Sequence, residues 1–166
     1  KFTQGKFGNK IPAGGKPGAR ETKLVDELER RFGIYSAYME EIQLRKAAGE
    51  LRAIWVLGNE YLADAAPWTS IRTDKDAAAL SVRVAINLIR LFAILSSPVI
   101  PFAAETMAKS LGLPAEQLKW PKGKIAEELE ALKPGHKFEI PNVLFAKILP
   151  EQMSAWEAQF GGAPAA

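Results

Sequence analysis

The chain has no cysteine and a single histidine, His136. Without thiols it can build neither a disulfide framework nor a thiolate zinc site, and one imidazole cannot hold a metal alone. The absence of cysteine fits a reducing compartment, so the expected location is cytoplasmic. No uninterrupted apolar run reaches the roughly 18 residues of a membrane-spanning helix and no signal peptide is visible, so no membrane partner is expected. Internal repeats and strand-like alternation are also missing. Acidic residues are absent from the first 20 positions, which hold Lys1, Lys6, Lys10, Lys16 and Arg20. A field of that sign favours a polyanion such as RNA, and a solvated basic loop produces the same pattern.

What is present is enough for one core: 166 residues, 48% hydrophobic, with a net charge of +3. The chain opens on Lys1, and residues 1–8 already read as the end of a helix stopped by Gly8-Asn9, which suggests a fragment of a longer protein. Ile11 to Gly18 is a loop, because its prolines and glycines leave no periodicity. From about Glu21 to Arg45, Leu24, Leu28, Phe32, Tyr35, Met39 and Ile42 recur every three or four residues on one helical face. Gly33 interrupts this helix and marks either a kink or a close neighbour.

A second helix, from about Lys46 to Ala65, has Ala47, Leu51, Ile54, Trp55, Gly58, Tyr61, Leu62 and Ala65 on its apolar face. Gly58 there predicts a close helix contact, Asn59 is placed to bond a neighbour, and Pro67 ends the element. Thr73 and Asp76 suit the N-cap and third position of the next helix. That helix, about Asp74 to Leu95, is apolar nearly all round and is read as the central, buried one. Pro101 opens another, which runs to about Leu111 with Gly112 as its stop. Beyond Pro114 the pattern loosens into a short helix at Ile125 to Leu132 and a last one at Pro150 to Phe160. These lengths and short loops give an all-α, antiparallel helical bundle with an irregular C-terminal segment folding back along it. The expected division is 1–113 as the bundle, 114–160 as an extension packed on it, and 161–166 as a flexible tail.

No catalytic constellation, cofactor site or metal site is expected within the chain. His136 has no nucleophile or fixed-spacing partner, and Glu127-Glu128-Leu129-Glu130 reads as a solvated helix face. Gly14-Gly15-Lys16 lacks the spacing, the preceding strand and the Ser or Thr of a phosphate loop. Met107-Ala108-Lys109-Ser110 resembles half of the lysine-rich ATP loop of class I synthetases, but it falls inside an amphipathic helix with Lys109 on the solvated side. Of the four tryptophans, Trp55 is placed in the core, and Trp120 and Trp156 cover apolar surface. Trp68 stands just past a helix stop, beside Arg72 and Lys75. It either packs on the bundle or offers a stacking platform to a nucleobase.

Asn59-x-Tyr61, Pro67-Trp68, Leu95-Ser-Ser-Pro98-Val-Ile-Pro101 and Ala104-Glu105, in that order and spacing, resemble the anticodon-binding domain of class I aminoacyl-tRNA synthetases. Gly135-His136-Lys137 followed by Pro141-x-x-Leu144-Phe145-x-x-Ile148 is similar to the segment that closes bacterial methionyl-tRNA synthetases, and the opening Phe2 to Pro12 also fits that family. The resemblance implies a parent enzyme that joins methionine to tRNA(Met) through a methionyl-adenylate made from ATP and magnesium. Its catalytic domain would precede Lys1, as would an Asn and an Arg that the family uses on the domain's first helix. It further implies that the helical domain reads the CAU anticodon, that Trp68 touches an anticodon base, and that Lys6, Lys10, Arg72 and Lys75 are candidates for tRNA backbone contacts. Val143, Leu144, Phe145 and Ile148 would anchor the closing segment toward the catalytic domain. The alternatives are the equivalent domain of another class I synthetase and a helical domain that binds protein.

Overall fold

A computed structural model of the chain describes residues 2–162. Lys1 and residues 163–166, most of the expected tail, lie outside the described residues. The elements are α1 (Phe2–Phe7), α2 (Ala19–Glu40), α3 (Leu44–Ala65), α4 (Pro67–Ser70), α5 (Lys75–Ser96), α6 (Pro101–Ser110), α7 (Ile125–Glu128) and α8 (Pro150–Phe160). Among the described residues the only β pairing is an isolated antiparallel bridge between Lys10 and Lys137. The all-α bundle is therefore the observed architecture.

α2 and α3 form an antiparallel hairpin. Arg20 pairs with Asp64 near one end, and Arg31 with Glu50 nearer the other. The apolar ridge works as its spacing predicts from Leu24 to Tyr35, where Leu24, Leu28 and Tyr35 are buried. It fails at Ile42, because α2 ends at Glu40. Ile42 adopts φ 57° in the connecting turn and is 77% exposed. The Gln43 N–H bonds back to the Tyr38 carbonyl across that turn. Gly33 neither breaks α2 nor admits a neighbour, since nothing would lie within 4 Å of a Cβ placed there. Gly58 does mark a close approach: a Cβ there would sit 2.7 Å from Cζ of Phe92 on α5.

α5 is the central helix. A window within it has a mean hydropathy of 1.9, long and apolar enough by composition to cross a membrane, but 72% of that window is buried inside the bundle. Its N-cap is Asp74, whose carboxylate accepts from the Ala77 N–H at 2.9 Å, and not the expected Thr73. Asp is among the strongest N-cap residues, and the Thr73 hydroxyl is turned back to the Ser70 carbonyl instead. Asn59, expected to bond a neighbour, is exposed on the outer side of α3.

The segment after α6 packs back onto the bundle as far as Phe138. Trp120 lies against Phe32 and Tyr35, with ring centroids 5.8 and 5.5 Å apart. Ile125 and Leu129 enter the main core, and Leu132 and Phe138 join Ile11, Val82, Ile86, Ala108 and Leu111 in a second cluster. α7 is shorter than expected, one turn ending at Glu128. Its Ile125 N–H is capped by Glu29 of α2 at 2.9 Å. Glu128 is not solvated as the acidic run suggested: it pairs with Arg90 of α5 at 2.5 Å, and both side chains are mostly buried. Beyond Phe138 the packing stops. Val143, Leu144, Phe145 and Ile148 are exposed, and α8 buries no residue. Trp156, expected to cover apolar surface, is 43% exposed.

Candidate nucleic-acid interface

Trp68 lies on α4, a single turn wedged between two long helices. Pro67 does more than end α3. Ala66 takes φ 38° and serves as C-cap of α3 and N-cap of α4, so the proline becomes the first residue of a new turn. A non-glycine residue in that region is strained, and it is held because both sides of it are fixed. Ala65 and Pro67 are buried. The Thr69 and Ser70 N–H groups donate to the Ala66 carbonyl at 2.9 and 3.0 Å, and Asp74 N–H donates to the Ser70 carbonyl at 2.7 Å. The Ser70 hydroxyl reaches the same Ala66 carbonyl. α4 thus rests on α5 with its backbone satisfied, and Trp68 is turned outward, 53% exposed.

Arg72 and Lys75 flank this indole and are both exposed. Neither forms an ion pair among the described residues, whereas Asp64 at the end of α3 is matched by Arg20 at 2.6 Å. That bond also holds the Arg20 guanidinium above its ordinary range. The Asp74 carboxylate is engaged as a cap. The corner therefore offers a rigid aromatic face, two uncompensated cations and no catalytic group. It is suited to stacking and to phosphate attraction.

Behind it a buried carboxylate ties α2 to α3. Glu21 accepts from the Gly18 N–H at 2.8 Å and from the Tyr61 hydroxyl at 2.9 Å. Burial and the Glu21 carboxylate both oppose a phenolate, so Tyr61 titrates well above the usual tyrosine value. The sequence placed Tyr61 on the apolar face, but its partner forty residues away on the first turn of α2 left no local signal.

Lys6 and Lys10 are exposed but share no element with Trp68. They belong to the stretch held by Ile11 N–H to the His136 carbonyl at 2.9 Å and Phe138 N–H to the Asn9 carbonyl at 3.1 Å. The His136 ring N–H donates to the Leu111 carbonyl at 2.7 Å, a structural role. Lys109 is solvated and pairs with Glu105 at 2.6 Å, which keeps it out of any nucleotide site. Trp55, placed in the core, is half-buried, with its indole N–H 3.2 Å from the Ser96 hydroxyl. Asn87 went unnoticed in the sequence. It is fully buried in α5 and pairs amide to amide with the Leu132 peptide, at 3.1 and 2.8 Å. A lone polar residue amid the Ile86 and Leu88 pattern was the only hint of it.

Comparison with known proteins agrees with this geometry. The family described as "Anticodon binding domain of methionyl tRNA ligase" matches residues 11–165. A methionine–tRNA ligase of Cereibacter sphaeroides is 51% identical over 162 residues, 98% of this chain and 28% of that protein. One from Caulobacter vibrioides is 48% identical over 165 residues, with the same shares. The chain thus spans little more than a quarter of the curated relatives it matches. Among solved structures, the free-state methionyl-tRNA synthetase of Mycobacterium tuberculosis shares the fold with a TM-score of 0.77 at 17% identity, over 90% of this chain and 30% of that one. The chain belongs to the family of methionyl-tRNA ligase anticodon-binding domains.

Proposed function

We propose that this domain reads the CAU anticodon of tRNA(Met), with Trp68 stacking on an anticodon base and Arg72 and Lys75 drawing in the adjacent phosphates. The observation that supports it best is the pinned turn: a half-exposed indole at a fixed helix corner, between cations that no acid neutralises. A base has a π-face whatever its identity, so stacking supplies affinity and leaves most discrimination to hydrogen bonds from elsewhere in the protein. The parent is a methionine–tRNA ligase of the cytoplasm, in keeping with the names of the relatives. ATP and magnesium would be used by a catalytic domain outside this stretch. Among the described residues no group of three or more His, Asp or Glu could hold the ion. The apolar side chains of Val143, Phe145 and Ile148 would dock on that catalytic domain, since nothing in this chain covers them.

The test is Trp68→Ala in the full-length protein. Loss of a stack contributing on the order of 1–3 kcal/mol lowers kcat/KM for tRNA charging about 5- to 150-fold. Methionine-dependent pyrophosphate exchange, which needs no tRNA, stays near the wild-type rate. Equal loss of both activities would make Trp68 a folding residue and sink the reading.

A further inference from the structure

A second cationic feature lies away from Trp68. A hollow of about 400 Å³ opens between the 14–17 loop, Arg83 of α5 and the 130–134 turn, lined by Lys16, Arg83 and Lys133 with Glu130 as its only acid. Both walls are fastened to α5. Gly14, at φ +67°, presses so closely that a Cβ there would sit 2.3 Å from the Leu80 nitrogen. The Gly15 N–H donates to the Asp76 carbonyl at 3.3 Å. Arg83 donates to the Ala13 carbonyl and, at 3.1 Å, to the Gly15 carbonyl. One turn further on, buried Asn87 holds the opposite wall through the Leu132 peptide.

The charge of this hollow is uncompensated. Arg83 is positioned by neutral carbonyls, which fix a guanidinium without cancelling its charge and leave three of its five N–H donors free. Lys16 and Lys133 are exposed and, among the described residues, neither they nor Glu130 enters an ion pair. A fixed fork flanked by two point charges is the arrangement that recognises a phosphate. No aromatic side chain lines the hollow, so a nucleobase would find nothing to stack on. That chemistry favours a phosphodiester over a nucleoside phosphate. Arg83 also lies eight residues beyond Lys75, about 12 Å along the helix axis, which is the axial rise of three to four nucleotides of one strand.

We propose that the hollow formed by Lys16, Arg83 and Lys133 holds a backbone phosphate of the RNA whose anticodon meets Trp68. This deepens the reading above and rests on it. The experiment uses the full-length protein with Lys16→Ala and Lys133→Ala combined, leaving Arg83 to hold the loop. Binding of the tRNA and of a tRNA with an altered anticodon is measured across a salt series. The expected result is several-fold weaker binding of both RNAs, an unchanged ratio between them, and a salt slope shallower by about 0.9, the increment for one phosphate that the protein no longer neutralises. Lys16→Arg with Lys133→Arg should restore the slope. An unchanged slope and affinity in the alanine variant, with its melting temperature intact, would overturn the proposal. A variant that melts early is replaced by Lys16→Gln with Lys133→Gln and judged by the same slope. A hollow that binds inorganic phosphate while RNA affinity is indifferent to the lysines is a small-anion site, and that also overturns it. A changed slope in a protein that never distinguishes the two anticodons supports the phosphate site and sinks the anticodon reading instead.

Discussion

At the scale of single residues, the Glu21–Tyr61 bond couples stability to pH. Burial and the facing carboxylate raise the Tyr61 pKa above the ordinary value of 10.0, and burial raises that of Tyr35. Folding therefore favours the protonated phenols. Above about pH 10 the unfolded chain gives up these protons first, so the stabilisation is complete below that pH and is lost as pH rises further. Urea unfolding from about pH 8 to about pH 11 should show falling stability, and Tyr61→Phe should flatten part of the fall. At neutral pH the same substitution leaves a buried carboxylate oxygen short of a donor, a loss of about 1.5–3 kcal/mol. An alkaline profile unchanged by Tyr61→Phe would mean that the bond is not formed in solution. Residue by residue, the sequence disclosed what local spacing encodes. Trp68 was visible because a proline precedes it. Glu21, Asn87 and Arg83 were not, because each acquires its meaning from a partner 40 or more residues away.

Elements show the same division. The faces of α2, α3 and α5 were legible because a 3.6-residue period is imposed by the core they share. The end of α2 was not, since Ile42 continues the apolar spacing into a turn that only the α3 hairpin requires. Periodicity also cannot tell which glycine in a helix faces a neighbour. Gly33 and Gly58 look alike in the sequence, yet one meets nothing within 4 Å and the other meets Phe92 at 2.7 Å. Their alanine substitutions should therefore have opposite signs. Gly33→Ala gains helix propensity at no steric cost and should stabilise the domain by about 0.4–1 kcal/mol. Gly58→Ala has the same gain of about 1 kcal/mol set against overpacking of about 1–3 kcal/mol, so its net effect is neutral to destabilising. Gly58→Val should be clearly destabilising, because it adds bulk without a better propensity. Shortening the neighbour with Phe92→Leu should recover part of that loss, which a double-mutant cycle in urea measures. If Gly58→Val is as stable as wild type, the α3–α5 approach is looser than the geometry states.

At the scale of the whole molecule, the packing parts after Phe138, not after Leu113. Ile125, Leu129, Leu132 and Phe138 are each at most 9% exposed and lie in the same clusters as the bundle helices. Burying four such side chains contributes about 1.5–3 kcal/mol apiece, together comparable to the 5–15 kcal/mol that keeps a domain folded. By contrast, residues 141–162 are exposed throughout. Two truncations of this chain should then behave oppositely. Ending it after Glu139 should leave the cooperative thermal transition and the helical signal of α1–α7 in place, because no core residue is lost. Ending it after Leu113 should abolish the transition, because it opens the core beneath Trp120 and strands Glu29, Asn87 and Arg90 without partners. Hydrogen exchange connects this boundary to function. The backbone of 141–160 should exchange rapidly in the isolated chain and slowly in the full-length protein, where Val143, Phe145 and Ile148 find the surface they are proposed to cover. Equal exchange in both settings would leave those side chains without a partner in the enzyme and would refute the docking role, while the fold up to Phe138 would stand on its own contacts.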